Sequence, residues 1–227
     1  MPLSWSVLVR DLLITGTDTG VGKTVIAAAL VTALRTRGVR AIGFKPAETG
    51  VEGNEDSDSE VLARASGERV ALASPLLQLR EPLAPAVAAE RAGVVLNPED
   101  IESRLEQLRG EGYTVVVEGA GGVMVPLAWD YTALDLAERC DLDAIVVARA
   151  GLGTLNHVAL TVLMLQSRHI AVRGIVLNGR GTSPDLAEAT NPASLARLLP
   201  GLRIVEVPHQ NAARVVAATA GIVDRLL

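Results

Sequence analysis

The sequence predicts an α/β fold: a mainly parallel sheet flanked by helices on both faces, in a three-layer architecture. Three observations carry this. Short apolar runs alternate with longer helical patterns along the chain. Several of those runs are continuously aliphatic rather than alternating, as strands buried on both faces must be. Glycine-rich stretches follow the runs, at the carboxyl ends of strands, where such sheets bind ligands.

The first strand is Leu12 to Thr15, with Val7 to Val9 as a candidate upstream start. Lys23 to Arg37 is predicted helical and is ended by Gly38. Val39 to Phe44 is the second strand. Ser57 to Ala65 reads as a helix, with Ser57 as its cap and Gly67 as a stop signal. The segment Ala71 to Gly93 holds Pro75, Pro82 and Pro85, with Pro98 just beyond, and is expected to be largely irregular. Asn97-Pro98-Glu99-Asp100 starts a helix: Asn as cap, Pro in the first turn, acids where the helix dipole favours them.

Tyr113 to Val117, Ala144 to Ala148 and Gly174 to Leu177 are predicted strands, with a helix from about Asn156 to Arg168 between the last two. Arg203 to Val207 is a final strand and Asn211 to Leu227 a closing helix. The polar stretch Val51 to Ser59 is expected to be a mobile loop. With 227 residues and no internal repeat, one domain spanning 1–227 is expected.

Composition excludes several function classes. Aromatics are 2% of the chain, so base stacking on aromatic platforms is not expected. Net charge is −5 and no Lys/Arg run suggests a nucleic-acid face. A single cysteine, Cys140, allows no internal disulfide and agrees with a reducing compartment. Met1 to Arg10 does not read as a secretory signal, and the apolar stretch Val25 to Leu34 falls short of a membrane span. A cytoplasmic location is expected.

Gly16-Thr17-Asp18-Thr19-Gly20-Val21-Gly22-Lys23-Thr24 follows a strand and opens a helix, the context a phosphate-binding turn requires. Glycines let backbone N–H groups turn toward phosphate oxygens, and the helix N-terminus adds positive potential. Lys23 would reach the β- and γ-phosphates and Thr24 would ligate magnesium. Five residues separate Gly16 from Gly22, where the common pattern has four. A glycine-rich turn that merely begins a helix is the plain alternative.

Other candidates lie at strand ends. Glu118, before Gly119-Ala120-Gly121-Gly122, can approach a magnesium ion held by Thr24, or simply cap a turn. Lys45 would project into the same crevice as Lys23, unless it is only a solvated strand-end lysine. Thr49 fits a substrate contact or an ordinary turn. Spacing does not choose among Glu55, Asp56, Asp58 and Glu60, and a solvated charge run accounts for them better. Asn178 fits a base-reading amide or a turn residue before Gly179. His157, His169 and His209 show no zinc spacing.

Four motifs in order resemble the dethiobiotin synthetase family of the P-loop NTPase superfamily. They are Thr15 to Thr24, Gly43-Phe44-Lys45-Pro46-Ala47-Glu48-Thr49-Gly50, Val117 to Gly122, and Gly151-Leu152-Gly153-Thr154-Leu155-Asn156-His157. The extra residue in the phosphate turn is usual in that family. The resemblance implies an ATP-dependent cyclo-ligase that closes the ureido ring of dethiobiotin on 7,8-diaminopelargonic acid with carbon dioxide.

It also implies roles. Lys23 and Lys45 would be catalytic, on the phosphates and the carbamate. Thr24, Asp58 and Glu118 would surround Mg²⁺, Asp58 being picked because Ser57-Asp58 matches the family's acid after its variable loop. ATP would contact Gly20, Val21, Gly22, Lys23, Thr24, Val25 and the Glu118-Gly119-Ala120-Gly121 segment. Adenine would lie by Asn178 and Gly179, with Pro208, His209 and Gln210 near. Thr49 would hold the diamine. Gly153, Thr154 and Asn156, supplied across a homodimer interface, would bind the substrate carboxylate.

Two positions depart from the pattern. Ala86 stands where members often carry His, and Gly179 where they often carry Asp, which bears on substrate contacts and on adenine selection. The alternative is a partner-regulated ATPase switch of the partition or cell-division type. Such proteins usually carry an additional early lysine, whereas positions 17 to 19 here are Thr-Asp-Thr. An amide-forming ligase of the cobyrinate type is a further alternative, though such chains generally carry a glutaminase domain as well.

Overall fold

β1 (Leu12–Gly16) is buried along its whole length, because it has a strand on either side and helices above and below. The computed structural model describes residues 10–51, 57–68, 70–208 and 226. β1 pairs with β5 (Thr114–Gly122) on one side and β8 (Asp143–Arg149) on the other. β2 (Ala41–Phe44) lies outside β5, and β9 (Val172–Arg180) and β10 (Ile204–Pro208) lie beyond β8. The order is β10-β9-β8-β1-β5-β2, and every pairing is parallel. The expected mainly parallel sheet with helices on both faces is what forms.

Two-residue periodicity sorts the side chains into two cores. Leu12, Ile14, Val116, Ile145 and Val147 point to one face, against Ile26, Leu30 and Leu34 of α1 (Lys23–Thr36) and Leu62 of α2 (Asp58–Ser66). Leu13, Val115, Val117, Ala144 and Val146 point to the other, against α5 (Pro98–Gly110), α6 (Ala133–Arg139) and α7 (Thr154–Ser167). Burying each of the Val, Leu and Ile side chains among these contributes about 1.5–3 kcal/mol. With both faces covered, polar positions inside the strands would be costly, hence the continuous runs.

The segment expected to be irregular is not. It holds α3 (Val70–Ala73), β4 (Leu77–Leu79) and α4 (Pro85–Ala92), and β4 pairs with β3 (Ala47–Thr49). Pro85 occupies the first helical turn, where its missing N–H has no partner to lose, so it starts α4 rather than breaking it. A hairpin of β6 (Pro126–Ala128) and β7 (Tyr131–Thr132), then α6 and α8 (Leu186–Leu198), were likewise not anticipated. α6 and α8 begin with capping boxes, Thr132 with Asp135 and Asp185 with Glu188.

Boundaries moved at functional positions. β5 runs on to Gly122 and β9 to Arg180, so Glu118 and Asn178 sit inside strands rather than ending them. α7 starts at Thr154, so Asn156 lies in its first turn. The N-cap position of α5 is Asn97, but its side-chain amide donates to Asp100 instead of capping the backbone. Val7 to Val9, Glu55, Asp56, His209, Gln210 and nearly all of the closing helix lie outside the described residues.

Candidate functional site

The glycine turn joins the end of β1 to the start of α1. Gly22 is the N-cap of α1 with φ +94°, a left-handed conformation that suits glycine. A β-carbon there would also stand 2.0 Å from Asn178 Nδ2. Asn178 donates to the Val21 carbonyl at 2.9 Å, tying β9 to the turn. Lys23 folds back over the loop, its Nζ 3.1 Å from the Asp18 carbonyl. Burial lowers its pKa from the ordinary lysine value, with the Glu118 carboxylate opposing. Asp18 is itself held by Arg149, Nη2 to Oδ2 at 2.6 Å.

Beside the turn three oxygen-bearing side chains from three elements converge. The hydroxyl of Thr24, in the first turn of α1, lies 2.8 Å from Asp58 Oδ1 and 2.9 Å from Glu118 Oε1. One hydroxyl proton cannot serve both carboxylates. Lys45, just after β2, bonds Glu118 Oε1 at 2.9 Å and also bonds Asp58 Oδ2. α2 delivers Asp58 because Gly43 lets the helix approach: a β-carbon on Gly43 would stand 2.8 Å from Leu62 Cβ.

The electrostatics follow from this packing. Burial alone would depress the Lys45 ammonium, but the Glu118 and Asp58 carboxylates outweigh it and hold its pKa above the usual lysine value. Burial raises the Glu118 carboxyl, against the pull of Lys45. Burial would raise Asp58 too, but Lys45 and Thr24 bring it below the ordinary range. Two lysines and two carboxylates cancel formally. A triphosphate entering here gains net attraction from the turn's amides, the α1 N-terminus and whatever cation joins the carboxylates.

The donor set fits magnesium. Among the described residues no cluster of three or more His, Cys, Asp or Glu could hold a metal. Here there are two carboxylates and a hydroxyl, hard oxygens of the kind Mg²⁺ takes together with phosphate oxygens and water. Glu118 is 1% exposed and its Oε2 has no hydrogen-bond partner. A buried carboxylate oxygen left unsatisfied is costly, and a divalent ion would satisfy it.

A cavity of about 530 Å³ opens over these groups, and Gly20, Gly22, Lys23, Thr24, Val25, Lys45, Thr49, Asp58, Glu118, Ala120 and Gly121 all line it. Pro82, Leu83, Ala84 and Pro85 also line it, and none of the four is among the site residues the sequence suggests. Thr49 donates to the Leu83 carbonyl at 2.8 Å. Spacing could not choose Asp58, whereas the fold separates it from Glu60, which caps Ser57 instead.

Other candidates lie apart from that cavity. Gly119 packs in β5 near Ala133. Asn178 and Gly179 lie in the last three residues of β9, and Pro208 ends β10. Thr154 borders a separate recess of about 60 Å³ with Thr17, Asp18, Arg149, Gly151, Leu152 and His157, and Gly153, exposed, is the N-cap of α7. Thr154 is buried and its hydroxyl has no hydrogen-bond partner, while Asn156 is exposed. Ala86 is buried on α4 beside a second groove that Trp129 and Val95 also line.

Comparison with known proteins places this geometry. The sequence profile of the AAA domain family matches residues 10–218. An ATP-dependent dethiobiotin synthetase BioD of Anaeromyxobacter dehalogenans (strain 2CP-C) is 47% identical over 191 residues, 83% of this chain and 85% of its own length. One from Mycobacterium sp. (strain KMS) is 42% identical over 83% of this chain and 84% of its own. One from Haloferax mediterranei is 39% identical over 96% and 92%. Among solved structures, cobyrinic acid a,c-diamide synthase from Mycobacterium smegmatis with bound ADP and magnesium aligns with TM-score 0.60 at 17% identity, covering 96% of this chain and 94% of that one. The septum site-determining protein MinD of Pyrococcus horikoshii OT3, complexed with Mg-ADP, aligns with TM-score 0.56 at 17% identity over 96% of each. Likeness at that identity concerns the fold.

Proposed function

The chain belongs to the dethiobiotin synthetase family, and from that premise we propose how its residues divide the chemistry. It is an ATP-dependent cyclo-ligase of biotin biosynthesis acting on small molecules. The ring is closed on 7,8-diaminopelargonic acid with carbon dioxide, releasing ADP and phosphate. The observation that carries the residue assignment is the convergence of Thr24, Lys45, Asp58 and Glu118 beside the phosphate turn.

One amine of the substrate takes up carbon dioxide as a carbamate. A carbamate oxygen attacks the ATP γ-phosphate, giving a carbamic–phosphoric anhydride and ADP. The second amine then attacks the carbamate carbon, closing the ring and expelling phosphate. Negative charge gathers on nucleophile and γ-phosphate together, so catalysis here is alignment and charge stabilisation. Lys23 holds the β- and γ-phosphates and Lys45 faces both the carbamate and the γ-phosphate. Thr24, Asp58 and Glu118 would hold magnesium, which when bound would further neutralise the phosphate oxygens. Removing one such contact typically costs about a hundredfold in rate.

Thr49 and the Pro82–Pro85 wall bound the diamine. Asn178, Gly179 and Pro208 flank the adenine; the roles the family resemblance gives His209 and Gln210 fall outside the described residues. The substrate carboxylate is bound by the partner subunit's Gly153, the partner subunit's Thr154 and the partner subunit's Asn156, at the start of a helix whose dipole favours an anion. Supporting this, the same turn lies outside the cavity of its own chain. All of this work falls to one P-loop domain in a cytoplasmic homodimer; no helix of the described residues is long and apolar enough to cross a membrane.

The test is direct. Protein, Mg-ATP, labelled bicarbonate and the diamine should give acid-stable label in a cyclic urea. ATP hydrolysis without that product, stimulated by a protein or a membrane, would instead favour the partition-type switch.

A further inference from the structure

Glu48 is a buried carboxylate, 4% exposed, with no part in the chemistry above. It sits on β3, three residues after Lys45. Its Oε1 accepts the backbone N–H of Asp58. Its Oε2 accepts the Ser59 hydroxyl at 2.9 Å and the Gln78 side-chain amide at 3.4 Å. A buried carboxylate is costly unless hydrogen-bonded. Here two of the three bonds come from the first turn of α2, whose N-terminus also favours a negative charge, and the third from β4.

Asp58 is therefore gripped twice by one short segment. Lys45 bonds its side chain and Glu48 bonds its backbone. The grip spans the connection between β3 and α2, so the height of Asp58 over Thr24 and Glu118 does not depend on that connection alone. α2 has caps whose backbone bonds do not involve Glu48: Ser57 with Glu60 at its start, and Gly67 at its end. Loss of Glu48 should thus leave the helix folded while freeing its first residue to shift.

We infer that Glu48 is a positioning residue, holding the Asp58 backbone so that its carboxylate completes the magnesium site with Thr24 and Glu118. This rests on the reading of Asp58 as a magnesium ligand. Groups that orient a ligand in this way typically change metal affinity about 10–100-fold when removed.

The experiment measures Mn²⁺ binding to the full-length protein with ADP, by electron paramagnetic resonance, for Glu48→Gln, Glu48→Ala, Asp58→Ala and the double variant Glu48→Ala/Asp58→Ala. Glu48→Ala should weaken Mn²⁺ about tenfold or more. Glu48→Gln should do less, because its amide oxygen still accepts the Asp58 N–H. ADP affinity in EDTA should stay within about twofold in both, since magnesium ligation and not the phosphate turn is disturbed. The double variant should bind Mn²⁺ no more weakly than Asp58→Ala alone, because Glu48 acts through Asp58. Wild-type Mn²⁺ affinity in Glu48→Ala, or a full further loss in the Asp58→Ala background, overturns the inference. Undiminished affinity in Asp58→Ala removes the ligand reading and this inference with it. If Glu48→Ala does not fold, the similarly sized Glu48→Met decides, because it fills the space but offers the Asp58 N–H no oxygen acceptor; an unchanged Mn²⁺ affinity there counts against the role. The readout needs no turnover, so it stands or falls separately from ring closure.

Discussion

The ammonium of Lys45 stands 2.9 Å from Glu118 Oε1, across 73 residues of sequence, and both groups are buried. It is the cation that keeps two adjacent carboxylates together before any metal joins them. Breaking a buried pair by removing one partner typically costs about 3–5 kcal/mol. Lys45→Met should therefore keep the fold but melt lower, and Mg²⁺ should recover part of the loss by joining Glu118 and Asp58. Turnover should fall about a hundredfold or more, since charge on the γ-phosphate loses its partner. Melting with and without Mg²⁺, alongside product formation, checks both halves; undiminished product would remove Lys45 from the mechanism.

Gly22→Ala tests the phosphate turn through two independent faults. Alanine at φ +94° is strained by about 1–2 kcal/mol. Its β-carbon would also meet the Asn178 amide at 2.0 Å. ADP affinity should fall by about tenfold or more, as 1.4 kcal/mol is a factor of ten. The double variant Gly22→Ala/Asn178→Ala should recover at most part, because removing the clash leaves the backbone strain and also takes away the amide that ties β9 to the turn. Titration calorimetry with ADP reads both. Full recovery would mean that the left-handed conformation does not matter to the turn.

These two sites differ in how far the sequence announced them. The turn was legible because Gly-Lys-Thr after a strand has one common physical use. Asp58 was legible only through the family resemblance: four acids share its stretch, spacing does not choose among them, and the contacts that separate it from Glu60 form only in the fold. Glu118 was recognised but placed at a strand end, since Gly119 to Gly122 read as a turn. The parallel ladder with β1 instead continues from Ile14 opposite Glu118 to Gly16 opposite Gly122. α6 and α8 carry capping boxes, but α6 is only seven residues long and Pro192 inside α8 reads as a breaker, so neither stands out by periodicity.

Cys140 should be a slow thiol. It is buried at the end of α6, and burial, with Glu102 nearby, pushes its pKa up to about 11. Near pH 8 the thiolate that reacts is scarcer than in an ordinary cysteine, by on the order of a hundredfold. Alkylation of the native protein should lag that of the urea-unfolded protein by at least this factor. The sign for stability follows: the folded state holds this proton more tightly. The contribution is fully present below the ordinary cysteine pKa near 9 and is lost as pH rises toward 11. Cys140→Ala should flatten that part of the pH profile, read by urea titration from pH 8 to 11.

The last prediction concerns α7. Leu160, Leu163 and Met164 are exposed on this helix, and Leu152 just before it is 94% exposed. Positions 160, 163 and 164 share one helical face, and Asn156 lies one turn earlier on the same side. An apolar stripe of this kind is unfavourable in water unless covered. A second copy covering it would carry its own Asn156 turn toward the neighbouring chain, which is the arrangement the carboxylate site needs. The variant Leu160→Glu/Leu163→Glu places like charges on that face and should be monomeric by light scattering. It should bind ADP as the parent does, because the phosphate turn belongs to one chain. Ring closure should fall about a hundredfold or more, because an unanchored diamine loses the alignment on which the attack depends. A fully active monomer would show instead that each chain completes its own site, and the substrate carboxylate would then have to be sought among the groups lining the Pro82–Pro85 wall.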